Sequence, residues 1–395
     1  MSLRLTTAGE SHGPRLTAVL EGIPAGLRVD PAFVAAELGR RQHGYGRGGR
    51  MKIEKDEASF DGGVRGGVTL GSPIAIGIAN RDFASWERVM GPLEVDAEAA
   101  RERRLTRPRP GHADLAGGMK FGASDLRDVL ERASARESAA RVAAGAVCKL
   151  LLASAGVELG SGVLSLGRVA DSRSPRSFDS VARVRQDSPL RAIDPELEGE
   201  MVAEVDEAKS RGDTLGGSIL VAARGVPAGL GSFASWERRL DGRIAQALLS
   251  VPAVKAVELG AAIEASRGFG SDAHDEIERG PDGALRRRTN RAGGLEAGVT
   301  NGEDVVAVAY MKPISTLARG LDSVDLESGE AARSAYERSD VTAVPACGVI
   351  AEAMLAFVLC DALLEATGGD RMEDVLERLA RHRERVRAYG APRVR

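Results

Sequence analysis

An α+β fold made of two similar halves is the architecture this sequence predicts, and three recurrences carry that reading. The hexapeptide Phe83-Ala84-Ser85-Trp86-Glu87-Arg88 returns unchanged as Phe233-Ala234-Ser235-Trp236-Glu237-Arg238. Thr69-Leu70-Gly71, ahead of the first copy, is echoed by Thr214-Leu215-Gly216 ahead of the second, and Gly22-Ile23-Pro24-Ala25-Gly26-Leu27 is echoed by Gly225-Val226-Pro227-Ala228-Gly229-Leu230. Recurrence over so long a span argues for two packed halves and against a solenoid of short repeats. The expected organisation is one domain over 1–395, with halves at about 1–160 and 205–366, a polar surface connector at 168–200 marked by Pro175, Pro189 and Pro195, and a charged tail at 370–395.

Leu3 to Thr7 and Leu16 to Glu21 read as strands, separated by the loop Gly9-Glu10-Ser11-His12-Gly13. Glycine on both sides of His12 lets the backbone turn tightly and a ligand approach closely, the setting of a functional side chain; a structural loop histidine is the competing reading. Asp30-Pro31 opens a helix, with the carboxylate as N-cap and proline at the first helical position, and the pattern runs to about Arg41. The stretch from Gln42 to Met51, with Arg47 and Arg50 among glycines, reads as an anion-binding lid or an RGG-type RNA-binding segment. One aromatic, Tyr45, and no repetition favour the lid.

Pro108 and Pro110 stiffen the basic loop Arg107-Pro108-Arg109-Pro110-Gly111-His112-Ala113-Asp114. Arg107, Arg109, Arg132, Arg136 and Arg141 are expected to gather around His112, ahead of an alanine-rich helix from about Ser138 to Leu152. Free amides and the helix dipole would add to that charge and hold an anion; a solvated basic face is the alternative. In the second half, Ser218 to Ala222 and Val305 to Met311 read as strands and Leu240 to Ser250 as a helix. Thr289 to Gly302 reads as a glycine-rich loop. The lysine and hydroxyls of Lys312-Pro313-Ile314-Ser315-Thr316 suit a phosphate, although a strand-end turn uses the same residue types.

A formal net charge of -3 gives no global reason to expect nucleic-acid or membrane partners, so any anion site must be local. Cys148, Cys347 and Cys360 sit in apolar runs without metal or disulfide spacing, which points to a reduced, cytoplasmic compartment and to no metal. The apolar run from Val349 to Ala366 is interrupted by Glu352, Asp361 and Glu365 and reads as a buried helix, not a membrane span. The charged tail reads as a terminal surface helix.

Six motifs in one order extend these local readings: Gly9 to Gly13, Gly46-Arg47-Gly48-Gly49-Arg50-Met51, Arg109 to Asp114, Arg132 to Glu137, Lys312 to Thr316, and Arg338-Ser339-Asp340. Together they closely resemble chorismate synthase over nearly the whole chain. The resemblance implies a lyase that converts 5-enolpyruvylshikimate 3-phosphate to chorismate by trans-1,4-elimination of phosphate, the last step of the shikimate pathway. It implies reduced FMN without net redox change, and NADPH only indirectly, through a separate flavin reductase or other reductant, because the synthase-like motifs occupy the chain. It also implies helices sandwiched between two antiparallel sheets with an internal pseudo-twofold repeat, and a homotetramer.

By the same resemblance His12 stands near the departing phosphate, His112 serves the reduced flavin, and Asp340 assists proton removal, with Ser11 and Ser134 supporting proton traffic. Arg41, Arg47, Arg109 and Arg136 match substrate contacts, and Arg41 and Arg47 also match nicotinamide-cofactor contacts. Arg132, Ala133, Ser134, Pro252, Ala253, Ala297, Lys312, Pro313, Ile314, Ser315, Thr316 and Arg338 match flavin contacts. Those at Ala133 and Pro252 must run through the backbone, since many relatives carry other side chains there. An FMN-dependent oxidoreductase is the nearest competing class, and it would consume reductant in proportion to product.

Overall fold

The structure, a computed structural model, describes residues 3–49, 55–281, 283–337 and 339–389. Arg50, Met51 and Arg338 lie outside the described residues. Four antiparallel strands, β1 (Arg4–Ala8), β2 (Arg15–Glu21), β3 (Ala58–Gly62) and β4 (Ile74–Ala79), form one sheet in the order β1-β2-β4-β3. A second sheet repeats that order with β5 (Glu158–Leu166), β6 (Gly217–Arg224), β7 (Val254–Leu259) and β8 (Val305–Met311) as β5-β6-β8-β7, and adds Val169–Ala170 beyond β5.

Between the sheets lie α1 (Pro31–Gln42), α2 (Ser138–Ser154), α3 (Leu240–Leu249) and α4 (Val344–Thr367). The arrangement is the α+β sandwich expected above. Alternation decides the faces of the first sheet: Leu16, Ala18 and Leu20 on β2 and Ile74, Ile76 and Ile78 on β4 are buried toward the helices, while Arg15 and Asp61 pair on the outside. Each such large apolar side chain contributes roughly 1.5–3 kcal/mol through burial.

The second sheet is buried on both faces, as the run Val305-Val306-Ala307-Val308-Ala309 demands. Its outer face is covered by the polar segment at 168–200, which turns Phe178, Val181 and Ile193 inward onto Leu164, Leu220, Val306 and Val308. This segment lies between β5 and β6, within the span of the second sheet.

The related turns are bonded alike. Thr69 Oγ1 accepts the Leu27 amide at 2.9 Å and donates to the Pro24 carbonyl at 2.6 Å. Thr300 Oγ1 accepts the Leu230 amide at 2.8 Å and donates to the Pro227 carbonyl at 2.6 Å. The structural counterpart of Thr69 is therefore Thr300, and not Thr214, whose hydroxyl donates to the Ile314 carbonyl. The repeated hexapeptides also occupy different places. Trp86 is 5% exposed beneath His12, whereas Trp236 is 79% exposed ahead of α3.

α2 and α4 cross so closely that a Cβ on Gly145 would lie 2.4 Å from that of Ala353. Where α1, α2 and α4 meet, Glu352 is fully buried and accepts from Lys149 at 2.5 Å, Arg40 at 2.7 Å and Ser161 at 2.5 Å. Burial opposes ionisation of Glu352 most strongly, but Lys149 and Arg40 outweigh it and hold the carboxyl below its usual range. This network anchors the last turn of α1, which carries Arg41. α4 is long and apolar enough to span a membrane, but here it is enclosed by the other helices and the second sheet. The tail forms α5 (Met372–Ala388), with Met372, Val375 and Leu379 packed on the core.

Candidate active site

Gly9, at φ 106°, turns the chain out of β1, and a Cβ there would meet the Arg15 carbonyl at 2.4 Å. The turn places Ser11 and His12 in a buried loop against the helix Arg127–Ala133. The Ser11 amide donates to the Glu131 carbonyl at 2.9 Å, and the His12 amide donates to Glu131 Oε2 at 2.8 Å. His12 Nδ1 lies 2.8 Å from Glu131 Oε1, and the imidazole stacks on Trp86 with ring centroids 4.1 Å apart. Burial opposes ionisation of Glu131 most strongly, yet the bonds from His12 and the charge of Arg127 leave its carboxyl below the usual range.

Beside this loop Asn80 Nδ2 donates to the carbonyls of Glu10 and Gly13, and Asn80 Oδ1 accepts Arg136 Nε at 2.9 Å. Arg136 Nη1 reaches Asp56 Oδ1 at 2.5 Å, and Arg41 Nη2 reaches Asp56 Oδ2 at 3.2 Å. One buried carboxylate thus joins two buried guanidiniums. Burial is the chief reason that Arg41 is lowered to about 10; Asp56 opposes that shift, and Arg136 and Arg47 add to it. Arg41 Nε is buried without a hydrogen-bond partner among the described residues. Arg47 pairs with Asp340 at 2.8 Å, in the wall of a cavity of about 550 Å³ that also includes Thr214, Thr316, Tyr336 and Ser339.

The loop carrying His112 is pinned by the hairpin Asp322–Val324/Ala331–Arg333, because Ser323 donates to the Pro108 carbonyl at 2.6 Å and the Ala335 amide to that of Arg107 at 3.1 Å. His112 Nδ1 lies 2.5 Å from Asp114 Oδ1, and Arg109 Nε donates to Asp114 Oδ2 at 2.8 Å. Arg109 Nη1 donates to Thr316 at 2.8 Å, which ties this loop to the turn after β8. Burial opposes ionisation of Asp114 most strongly, but His112 and Arg109 outweigh it and hold the carboxyl well below the usual range.

The five arginines do not gather around His112. Arg109 bonds to it; Arg132 donates to the Thr7 and Gly9 carbonyls, and Arg141 pairs with Glu137 at 2.6 Å. The reason is topological, since the helix Arg127–Ala133, the short turn Ala135–Glu137 and α2 carry Arg132, Arg136 and Arg141 toward the edge of the first sheet and the end of α3.

Among the matched flavin positions, Ser134 accepts the Arg136 amide at 3.3 Å, with Ala133 just before it. Ala253 follows Pro252 just beyond the end of α3; it has φ 69°, and its carbonyl accepts the Lys312 amide at 2.9 Å. Lys312 is half-buried, and burial first and Lys255 second lower it from the usual lysine value. Ser315 Oγ donates to the Gly111 carbonyl at 3.3 Å, with Pro313 and Ile314 between it and Lys312. Ala297, also left-handed at φ 50°, is set apart: the neighbouring Gly298 carbonyl accepts the amides of Ser232 and Leu240 at the start of α3. A ten-residue helix is about 15 Å long, so one chain does not bring Ala297 to Ala253, which follows the other end of α3.

A sequence model described as chorismate synthase matches residues 3–364. The chain belongs to the chorismate synthase family. It is 53% identical over 387 residues to a chorismate synthase of Thermus thermophilus, an alignment covering 98% of this chain and 100% of that one. The chorismate synthase of Thermobifida fusca is 52% identical over 385 residues, covering 95% and 97%. A crystal structure of a chorismate synthase superposes with a TM-score of 0.80 at 42% identity, covering 98% of this chain and 99% of that one. His12, His112 and the arginines are singled out in the sequence; Asp56, Asn80, Trp86 and Glu131, which complete the geometry around them, are not assigned to the site there. Of these, Trp86 stands out only as part of the repeated hexapeptide, and Glu131 only by its spacing of four residues from Arg127 on one helix.

Proposed function

We propose that this chain is a carbon–oxygen lyase that converts 5-enolpyruvylshikimate 3-phosphate to chorismate, the last step of the shikimate pathway to aromatic amino acids, by trans-1,4-elimination of phosphate. Reduced FMN, when bound, would supply electron density to the reaction and recover it. The observation that carries the reading is the charge balance of the site: Arg41, Arg47 and Arg136 face two carboxylates, Asp56 and Asp340, and the buried Arg41 Nε has no partner among the described residues. Such a site suits a substrate bearing carboxylates and a phosphate.

The same residues divide the work. Arg41, Arg47, Arg109 and Arg136 hold the substrate anions, His12 presents Nε2 to the departing phosphate, and Asp340 accepts a proton. His112, backed by Asp114, holds a proton on the flavin side, and Ser11 and Ser134 support proton movement. Lys312, partly desolvated beside the His112 loop, together with Ser315 and Thr316, fits the phosphate-bearing flavin. Arg132, Ala133, Pro252, Ala253, Pro313, Ile314 and Arg338 complete its contacts, and Ala297 joins them only in a homotetramer, from another subunit. NADPH enters indirectly, by way of a separate reductase. A reduced cytoplasmic location accords with three buried thiols and no disulfide among the described residues.

The test is an anaerobic assay with dithionite-reduced FMN that follows phosphate and chorismate together. Equal amounts of both, with no reductant consumed in proportion, are expected. Consumption of one reductant per product would replace this reading with that of an oxidoreductase.

A further inference from the structure

The His12 imidazole is held on one edge and one face. Glu131, whose side chain is fully buried, places Oε1 2.8 Å and Oε2 3.0 Å from Nδ1, and Oε2 also accepts the His12 amide. Trp86 covers a ring face at an interplanar angle of 26°. The guanidinium carbons of Arg103 and Arg127 lie 4.5 and 4.9 Å from the Trp86 ring, so the indole is clamped in turn. Arg127 donates to Glu131 at 3.2 Å and to Glu337 at 3.1 Å. Only the Nε2 edge of His12 has no contact among these groups.

We propose that Glu131 and Trp86 are positioning residues for His12, the carboxylate keeping a proton on Nδ1 and the indole fixing the ring plane, so that Nε2 is aimed at the leaving group. This rests on the reading of His12 given above. With one proton fixed on Nδ1, a second on Nε2 makes the imidazolium, and the Glu131 carboxylate faces the opposite edge of the ring. As the carbon–oxygen bond breaks, its electron pair goes to the phosphate oxygen. The Nε2 proton passes to that oxygen, and the ring remains neutral with hydrogen on Nδ1. No proton passes to Glu131, which orients and compensates charge. The charged groups facing the pair are Arg127 on the same helix, Arg103 across Trp86 and Glu337 beyond Arg127. None of them is altered in the test.

The test uses the full-length protein. Glu131→Gln should lose roughly ten- to a hundredfold in kcat with KM little changed. Wild-type kcat in folded Glu131→Gln overturns the proposal. Imidazole nitrogen shifts of the wild-type chain, with His12 assigned by difference from His12→Ala, provide a measurement independent of the variant's folding. Hydrogen on Nδ1 of neutral His12 is expected, and hydrogen on Nε2 overturns the proposal. If His12→Ala turns over at the wild-type rate while hydrogen is found on Nδ1 of His12 in the wild-type chain, the catalytic reading of His12 fails and the pairing stands.

Discussion

Arg47 and Asp340 form an ion pair at 2.8 Å, and the other oxygen of Asp340 accepts the Gly48 amide at 2.6 Å. One carboxylate therefore fastens the glycine-rich loop after α1 to the segment that leads into α4. An acid of the chain occupies the arginine that the substrate is expected to meet, so binding must recruit Arg47 from this pair or share it.

Asp340→Asn should loosen that loop. Trypsin cleavage after Arg47 should quicken several-fold relative to the wild type, and substrate with reduced FMN should slow it in the wild type. Equal cleavage rates in all three samples would show that the pair does not hold the loop.

Asp114 sets an acid limit on stability. Its carboxyl is held below the usual range in the folded chain, so its contribution is fully present above the unfolded value of about pH 4 and is lost as pH falls through the folded value. Asp114→Asn leaves Arg109 without its buried acid and should cost about 2–5 kcal/mol at pH 7, with a smaller cost in acid. The difference between the urea midpoints of the two proteins should be smaller at pH 3 than at pH 7. A constant difference would remove this residue from the acid response.

Gly145→Val should destabilise by about 1–3 kcal/mol or more, because its Cβ would overlap Ala353 on α4, whose backbone cannot withdraw without moving a buried helix. Thermal unfolding is the measurement. An unchanged midpoint would mean that the two helices can separate at no cost.

His12→Ala and His112→Ala should each keep the fold and lose on the order of 10² to 10⁴ in turnover. Their consequences should differ, because the two rings are held by separate carboxylates, Glu131 and Asp114, on separate segments. Only His112→Ala should alter the absorbance titration of bound reduced FMN, and His12→Ala should mainly slow phosphate release in single turnover. Identical spectral changes would merge the two roles.

What was legible in the sequence is what a few neighbouring residues decide. Asp30-Pro31 starts α1, and the Asp30 carboxylate accepts the Ala32 amide as expected. The alternation in β2 and the unbroken apolar run in β8 distinguish a sheet with one solvated face from a sheet buried on both. The hexapeptide is the instructive exception. The same tryptophan lies under His12 in one copy and in solvent in the other, since contact with the rest of the chain, and not composition, decides whether it is covered. The related turns, by contrast, keep their bonds through a threonine hydroxyl that the glycine and proline pattern only partly announces.

The sequence by itself determined the α+β class, the helix starts, the turn at His12 and the residues whose motifs mark the family. Only the tertiary structure decided that Asp56 joins Arg41 to Arg136, that Glu131 backs His12, and that the arginines near His112 in sequence disperse. Strand and helix periodicity is a local property, written in every few residues. Charge pairing at a buried site is not. Arg136 and Asp56 stand 80 residues apart, and His12 and Glu131 stand 119 apart. Such partners meet because the sheet order and the loops bring them together, and once buried each charge requires the other.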